Sequence, residues 1–157
     1  MKDFIYKTEP YDHQRKAFEA SAGINSYALL MDMGTGKTKV ALDTVASCFE
    51  SKRINFALIV APKGVIANWI GEIDTHLPDR VEREVLLWKP NLTKARRKEL
   101  NDLYTDTGKL KLLLMNIEAF SSKKGVSVAQ LFVKKFRVLM AVDESTTIKN
   151  RQAKRTK

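Results

Sequence analysis

The sequence predicts an α/β fold: a mostly parallel sheet with helices on both faces. Three observations support this class. Segments with strand character alternate with segments of helical periodicity along the chain, which is typical of parallel sheets. The runs 55–61 and 110–115 are almost continuously apolar, as expected for strands buried on both faces. A glycine-containing turn joins the first predicted strand to a helix, a connection that is common in phosphate-binding folds.

The elements follow one another without repeats, low-complexity tracts or linkers, so a single domain is predicted over 1–157. The predicted strands are 26–31, 55–61, 85–88, 110–115 and 137–142. The predicted helices are about 37–50, a stretch marked by apolar residues between Val65 and Ile73, about 93–104, and 126–136. Ligands of such a sheet are expected at the carboxyl ends of its strands.

The turn after the first predicted strand has the composition of a phosphate-binding loop. Its residues are Met33, Gly34, Thr35, Gly36, Lys37 and Thr38. Glycines allow a tight turn that directs several N–H groups toward one point, and the following helix adds its partial positive charge. Lys37 is therefore expected to contact the β- and γ-phosphates, and the Thr38 hydroxyl to bind Mg²⁺. Met31 stands where the usual motif has its first glycine, so the loop is not the generic kinase-like form.

Two acidic residues, Asp143 and Glu144, follow the last predicted strand. A strand end can place Asp143 beside the Mg²⁺ ion that Thr38 would bind, and Glu144 could then orient or deprotonate an attacking water. The alternative is an acidic helix start without a metal. Because the pair follows a phosphate loop in an alternating chain, we favour nucleotide hydrolysis.

The net charge of +10 is unevenly distributed. Residues 1–50 contain 6 Lys and Arg against 7 Asp and Glu, whereas residues 51–157 contain 22 against 11. The basic surplus favours either a polyanion partner or a solvated basic face, and charge alone does not decide between them. One cysteine, Cys48, excludes an internal disulfide. Since neither a signal peptide nor a membrane-spanning run is recognisable, a cytoplasmic protein without a membrane partner is predicted.

Five segments follow the motif pattern of one known family. They are Pro10–Gln14, Asp32–Thr38, Leu58–Trp69, Leu113–Phe120 and Asp143–Asn150. Together they resemble the first RecA-like lobe of helicase superfamily two, within it the Swi/Snf-type DNA translocases. The resemblance implies a P-loop NTPase lobe that binds ATP and Mg²⁺, hydrolyses ATP and acts on duplex DNA. It also implies that Gln14 contacts adenine, and it favours nucleic-acid backbone contacts at Lys63, Gly64 and Asn116.

The chain departs from that family in three respects. Thr146 stands where the acidic motif usually has histidine, a residue that in this family helps to couple the ATP state to nucleic acid. Two residues separate Tyr11 from Gln14, where many members have none. No second lobe is recognisable, so we expect residues 1–157 to be the first lobe of a longer two-lobe motor. Such a lobe alone should bind ATP but turn it over poorly.

Other functions share part of this pattern. Another superfamily-two motor, such as an RNA helicase or a restriction-type translocase, is the nearest alternative. A non-motor module that holds nucleotide or DNA is a second. A small-molecule phosphotransferase would share the phosphate loop, but it would have no use for the Pro62-Lys63-Gly64 and Ile148-Lys149-Asn150 motifs.

Overall fold

The computed structural model describes residues 4–21, 23–91 and 93–143. The helices are α1 (Asp12–Ser21), α2 (Lys37–Glu50), α3 (Asn68–His76), α4 (Lys94–Tyr104) and α5 (Lys123–Lys135). The strands are β1 (Phe56–Ala61), β2 (Arg83–Leu87), β3 (Leu110–Asn116) and β4 (Val138–Val142), and Ile117–Ser121 forms a 3₁₀ helix. The chain divides into two compact units. We call Met1–Arg53 with Asn68–Val81 the loop unit, and Ile54–Ala67 with Glu82–Lys157 the sheet unit.

The sheet unit contains a four-stranded parallel sheet in the order β2-β3-β1-β4, which confirms the predicted fold class. The central strands β1 and β3 are buried over nearly their whole length, as their apolar runs predicted. Helices α4 and α5 pack on one face through Leu103, Ala129 and Phe132. There the Phe56 and Phe132 rings stack with their centroids 4.8 Å apart, so the aromatic core holds these helices against the sheet.

The loop unit is helical. Helices α1 and α3 both pack against α2, whose Val40, Leu42 and Val45 are fully buried. The segment before α1 lies on this bundle: the Phe4 ring contacts Phe18 at a centroid distance of 5.2 Å, and the Thr8 hydroxyl lies 2.6 Å from His76 Nδ1. Because α1 packs on α2 and its Gln14 bonds to Thr35, α1 lies beside the phosphate loop that directly precedes α2.

Two predictions about the loop unit need correction. The predicted strand 26–31 is wrong: none of these six residues lies in a strand, and the Leu30 side chain is 94% exposed. A strand satisfies its backbone groups only beside a neighbour, and the described sheet consists of β2, β3, β1 and β4 without this segment. Helix α1 was not predicted because most of its residues are polar, although its buried residues Gln14, Phe18 and Ser21 have helical spacing.

The remaining predicted elements occur within a few residues of their predicted bounds. Within the part of the chain that the structure describes, no helix has both the length and the apolar character needed to cross a membrane.

Candidate functional site

The phosphate loop turns sharply at two glycines. Gly34 has a φ of +76° and Gly36 a φ of +83°, both in the left-handed region that other residues rarely adopt. Gly36 is also the N-cap residue of α2. Because glycine has no side chain, it offers no acceptor to the N–H groups of the first helical turn. The helix start is therefore suited to an external anion.

The side chains of the loop contact its own backbone. Lys37 Nζ donates to the carbonyls of Asp32, at 2.8 Å, and Met31, at 3.0 Å. The Thr35 hydroxyl donates to the Asp32 carbonyl at 2.6 Å. Thr38 lies half-buried in the first turn of α2, and Met33 is 91% exposed. The loop thus brings a cation and a hydroxyl to the start of one helix, as the motif predicted.

Gln14 lies on α1 next to this loop. Its side-chain Nε2 donates to the Thr35 carbonyl at 3.0 Å, and its Oε1 accepts from the Tyr11 backbone N–H at 3.0 Å. A Cβ atom added to Gly36 would collide with Gln14 Nε2. The structure therefore joins the predicted adenine contact to the phosphate loop, although the two are about twenty residues apart in sequence. His13, which sequence reasoning did not assign to the site, lies there too.

Helix α2, which begins at the phosphate loop, contains a buried ion pair. Lys39 Nζ lies 2.8 Å from Asp43 Oδ2, with both side chains almost completely buried. Burial raises the pKa of Asp43, although the hydrogen bond from Lys39 opposes the shift. Its other oxygen, Oδ1, has no hydrogen-bond partner within the described ranges. Because both charges are buried, removing either partner would leave the other charge uncompensated inside the helix that begins at the phosphate loop.

Of the two acidic residues predicted for the site, the structure describes Asp143. Asp143 directly follows β4, is half-buried, and donates its backbone N–H to the Val60 carbonyl at 2.8 Å. It therefore lies at the carboxyl end of the sheet, as predicted. Glu144 lies outside the described residues, as do Thr146 and the rest of the trailing motif.

The residues proposed to contact nucleic acid lie at the carboxyl end of the two central strands, β1 and β3. Ala61, the last residue of β1, pairs with Asn116, the last residue of β3. Lys63 and Gly64 follow Ala61 in an exposed turn, and Asn116 Nδ2 donates to Glu118 Oε2 at 2.7 Å. Tertiary structure thus gathers a cation, a glycine and an amide that are separated by some fifty residues in sequence.

Three other residues have surroundings that suit a structural role. Trp69 is 4% exposed and belongs to the buried core. Cys48 is buried, and this burial raises the pKa of its thiol, so it is a structural rather than a reactive cysteine. Arg96 forms an ion pair with Glu99 along the exposed face of α4, as expected of a solvated helix surface.

Comparison with known proteins gives one family. Residues 15–157 match the family described as "SNF2-related domain". The chain is 33% identical over 102 residues to Protein CHROMATIN REMODELING 24 of Arabidopsis thaliana, covering 62% of this chain and 9% of that protein. It is 30% identical over 124 residues to the Probable ATP-dependent DNA helicase CHR12 of the same organism, covering 78% of this chain and 10% of that protein. The chain spans about a tenth of the length of these curated relatives.

A solved structure has the same fold. It is the Sulfolobus solfataricus SWI2/SNF2 ATPase core in complex with dsDNA. The TM-score is 0.68 at 19% sequence identity, over 98% of this chain and 30% of that chain. At this identity the likeness establishes the α/β fold, including the parallel sheet.

Proposed function

The chain belongs to the SNF2-related domain family, and on that basis we propose that it is the ATP-binding lobe of a DNA-dependent ATPase that translocates on or remodels duplex DNA. The strongest support is the phosphate loop, where two left-handed glycines, a lysine and a threonine lead into α2. The names of the two Arabidopsis relatives, a chromatin remodeller and a probable DNA helicase, are consistent with this function.

The proposed ATP–Mg²⁺ site uses residues of the phosphate loop and of the strand end. Phosphate oxygens would take the place of the two carbonyls that Lys37 contacts. The Thr38 hydroxyl and the Asp143 carboxylate are hard oxygen ligands suited to Mg²⁺. The bound ion would neutralise charge that develops on the phosphates. Glu144 is the proposed residue that orients the attacking water.

Gln14 is proposed to select adenine. A carboxamide has two N–H donors and an oxygen with two lone pairs. One N–H of Gln14 donates to the Thr35 carbonyl, and one lone pair of its oxygen accepts from the Tyr11 backbone N–H. The remaining donor and lone pair match the N7 acceptor and N6 donor of adenine. Because the side chain is also held against the loop, base and phosphate recognition would depend on the same residue.

Duplex DNA is the proposed partner of the sheet unit. That unit contains 19 Lys and Arg against 8 Asp and Glu, and the loop unit 9 against 10. The excess favours a phosphate backbone, with Lys63, Gly64 and Asn116 as the proposed contacts at the sheet edge. The Sulfolobus SWI2/SNF2 core was solved in complex with dsDNA, which supports the same choice of partner for this chain.

We also propose that residues 1–157 form the first lobe of a longer two-lobe motor that acts inside the cell. The relatives are about ten times longer than the matched region. In such a motor the second lobe would complete the site for hydrolysis, so the chain by itself would bind ATP with slow turnover.

Nucleotide binding is the direct test of the site. We expect the chain to bind a fluorescent ATP analogue in the presence of Mg²⁺, and Lys37→Ala to abolish this binding. Arg53→Ala, which removes a cation elsewhere in the same unit, serves as the matched control. Unchanged affinity in Lys37→Ala would refute the assignment of the loop.

Turnover by the longer native product tests the partner. Duplex DNA, single-stranded DNA and RNA would be added in parallel to an ATPase assay. Strong stimulation by duplex DNA supports the translocase. Stimulation by RNA alone would indicate an RNA helicase, and no stimulation would leave a nucleotide-binding module. Glu144→Gln in that product should bind ATP without hydrolysing it.

A further inference from the structure

One carbonyl of the phosphate loop accepts hydrogen bonds from two neighbouring side chains of α1. His13 Nε2 and Gln14 Nε2 each lie 3.0 Å from the Thr35 carbonyl oxygen. Because a carbonyl can only accept, His13 must donate, and its Nε2 therefore bears a hydrogen.

The orientation of both donors is set by Tyr11. The Tyr11 and His13 rings stack with an interplanar angle of 12° and centroids 5.8 Å apart. The Tyr11 backbone N–H donates to Gln14 Oε1, which leaves the Gln14 NH₂ group facing Thr35. Tyr11, the residue directly before α1, therefore contacts both donor side chains.

The geometry of the peptide bond turns this contact into an effect on ligand binding. A trans peptide is planar, so the Thr35 carbonyl and the Gly36 N–H point in opposite directions. With the carbonyl held toward α1, the Gly36 N–H must point away from α1. Gly36 is the N-cap residue of α2, so its N–H belongs to the group of donors that an anion at this helix start would meet.

We propose that His13 is a positioning residue for phosphate binding: with Gln14 it holds the Thr35–Gly36 peptide so that the Gly36 N–H faces the nucleotide phosphates. This inference rests on the proposed ATP site. The two adjacent residues would then have different roles. Gln14 acts on both base and phosphates, whereas His13 acts on the phosphates alone.

These different roles predict that variants of His13 and Gln14 change the affinities for ATP and GTP differently. His13→Ala should weaken binding of both nucleotides by the same factor, about fivefold, the value expected for one neutral hydrogen bond. The ratio of the two affinities should not change. His13→Gln, whose amide nitrogen can reach the position of Nε2, should restore affinity to within about twofold. Gln14→Ala should weaken ATP more than GTP.

The test measures the dissociation constants of fluorescent ATP and GTP analogues with Mg²⁺ for these variants. Glu19→Ala, another exposed residue of α1, is the matched control and should bind as the wild type does. His13 is exposed, so its variants should keep the wild-type Tm, which is measured alongside.

Three results would overturn the role of His13. They are wild-type affinity in His13→Ala, no recovery in His13→Gln, or a changed ATP-to-GTP ratio in His13→Ala, which would instead indicate a contact with the base. A wild-type chain without Lys37-dependent binding would refute the ATP site itself. The two failures are therefore distinguishable.

Discussion

The loop unit and the sheet unit differ in what holds them in shape. In the loop unit the functional segment is held by polar contacts, in which Lys37, Thr35, Gln14 and His13 all bond to loop carbonyls. In the sheet unit the strands are held by an apolar core that includes the stacked Phe56 and Phe132 rings. Polar contacts can be exchanged for a ligand at little net cost, whereas a packed core cannot be rearranged cheaply.

The difference implies two classes of variant. Changes in the sheet unit should act mainly on folding stability. Changes around the loop should act mainly on nucleotide affinity, except where they touch the buried Lys39–Asp43 pair. Four variants of decreasing expected effect test this separation.

Phe132→Ala should produce the largest loss of stability. The ring is 2% exposed and stacks on Phe56 and Phe136, so its removal should lower the free energy of unfolding by about 3–5 kcal/mol. Urea denaturation measures the effect. Leu131→Ala, on the same helix but 55% exposed, should change stability by less than about 0.5 kcal/mol. Similar losses in both variants would mean that the core is not where the structure places it.

Asp43→Ala should lower folding stability although Asp43 lies in the loop unit. It is the expected exception to the rule that changes in this unit act on nucleotide affinity. It leaves Lys39 buried without its partner, at a cost of about 3 kcal/mol. The double variant Lys39→Met/Asp43→Leu should recover most of that loss, because similar apolar volume replaces the pair. Chemical denaturation of both variants distinguishes an ion-pair effect from simple loss of packing, for which the double variant would be no better than the single one.

Gly36→Ala should weaken ATP binding and lower the free energy of unfolding by no more than about 1–2 kcal/mol. A left-handed φ costs another residue about 1–2 kcal/mol, and the new methyl group would collide with Gln14. We expect affinity to fall by at least about tenfold. Gly34→Ala is a matched control, because its φ is similar but nothing lies within 4 Å of an added Cβ. An equal loss in both variants would show that the Gln14 contact has no role.

The smallest of the four effects is expected in the pH dependence of stability, which Glu84→Gln should change. The hydrogen bond from Lys111 lowers the pKa of Glu84 below its ordinary value of 4.5. The carboxylate therefore contributes stability above pH 4.5, and this contribution is lost as the pH falls through the lowered pKa. The variant should lose stability less steeply on acidification, by about 1 kcal/mol or less. Urea titrations between pH 3 and 6 measure the slope, and an unchanged slope would contradict the assignment.

Asp43 offers the opposite case in the loop unit. Its pKa is raised by burial above the ordinary value of 3.8. The stability it contributes is fully present below that value and is lost as the pH rises through the raised pKa. Acidification should therefore remove the stability that Glu84 contributes to the sheet unit and restore the stability that Asp43 contributes to the loop unit.

Local pattern was sufficient where the physical cause was local. Residues 37–50 form the predicted helix because their apolar residues recur at helical spacing. The runs 55–61 and 110–115 form buried strands because they have no polar face to expose. The prediction of strand 26–31 was wrong because a strand also needs a neighbour, and the periodicity of a segment contains no information about one.

The sequence by itself determined the α/β class, the phosphate loop, the position of Asp143 after a strand and the family to which the chain belongs. These properties depend on residue type, spacing and order along the chain. Only the tertiary structure decided the strand order, the placement of Lys63 and Asn116 at the same end of the sheet, and the joint contact of His13 and Gln14 with the Thr35 carbonyl. These arrangements bring together residues that lie about twenty to fifty positions apart, and packing in three dimensions decides them, which no local pattern encodes.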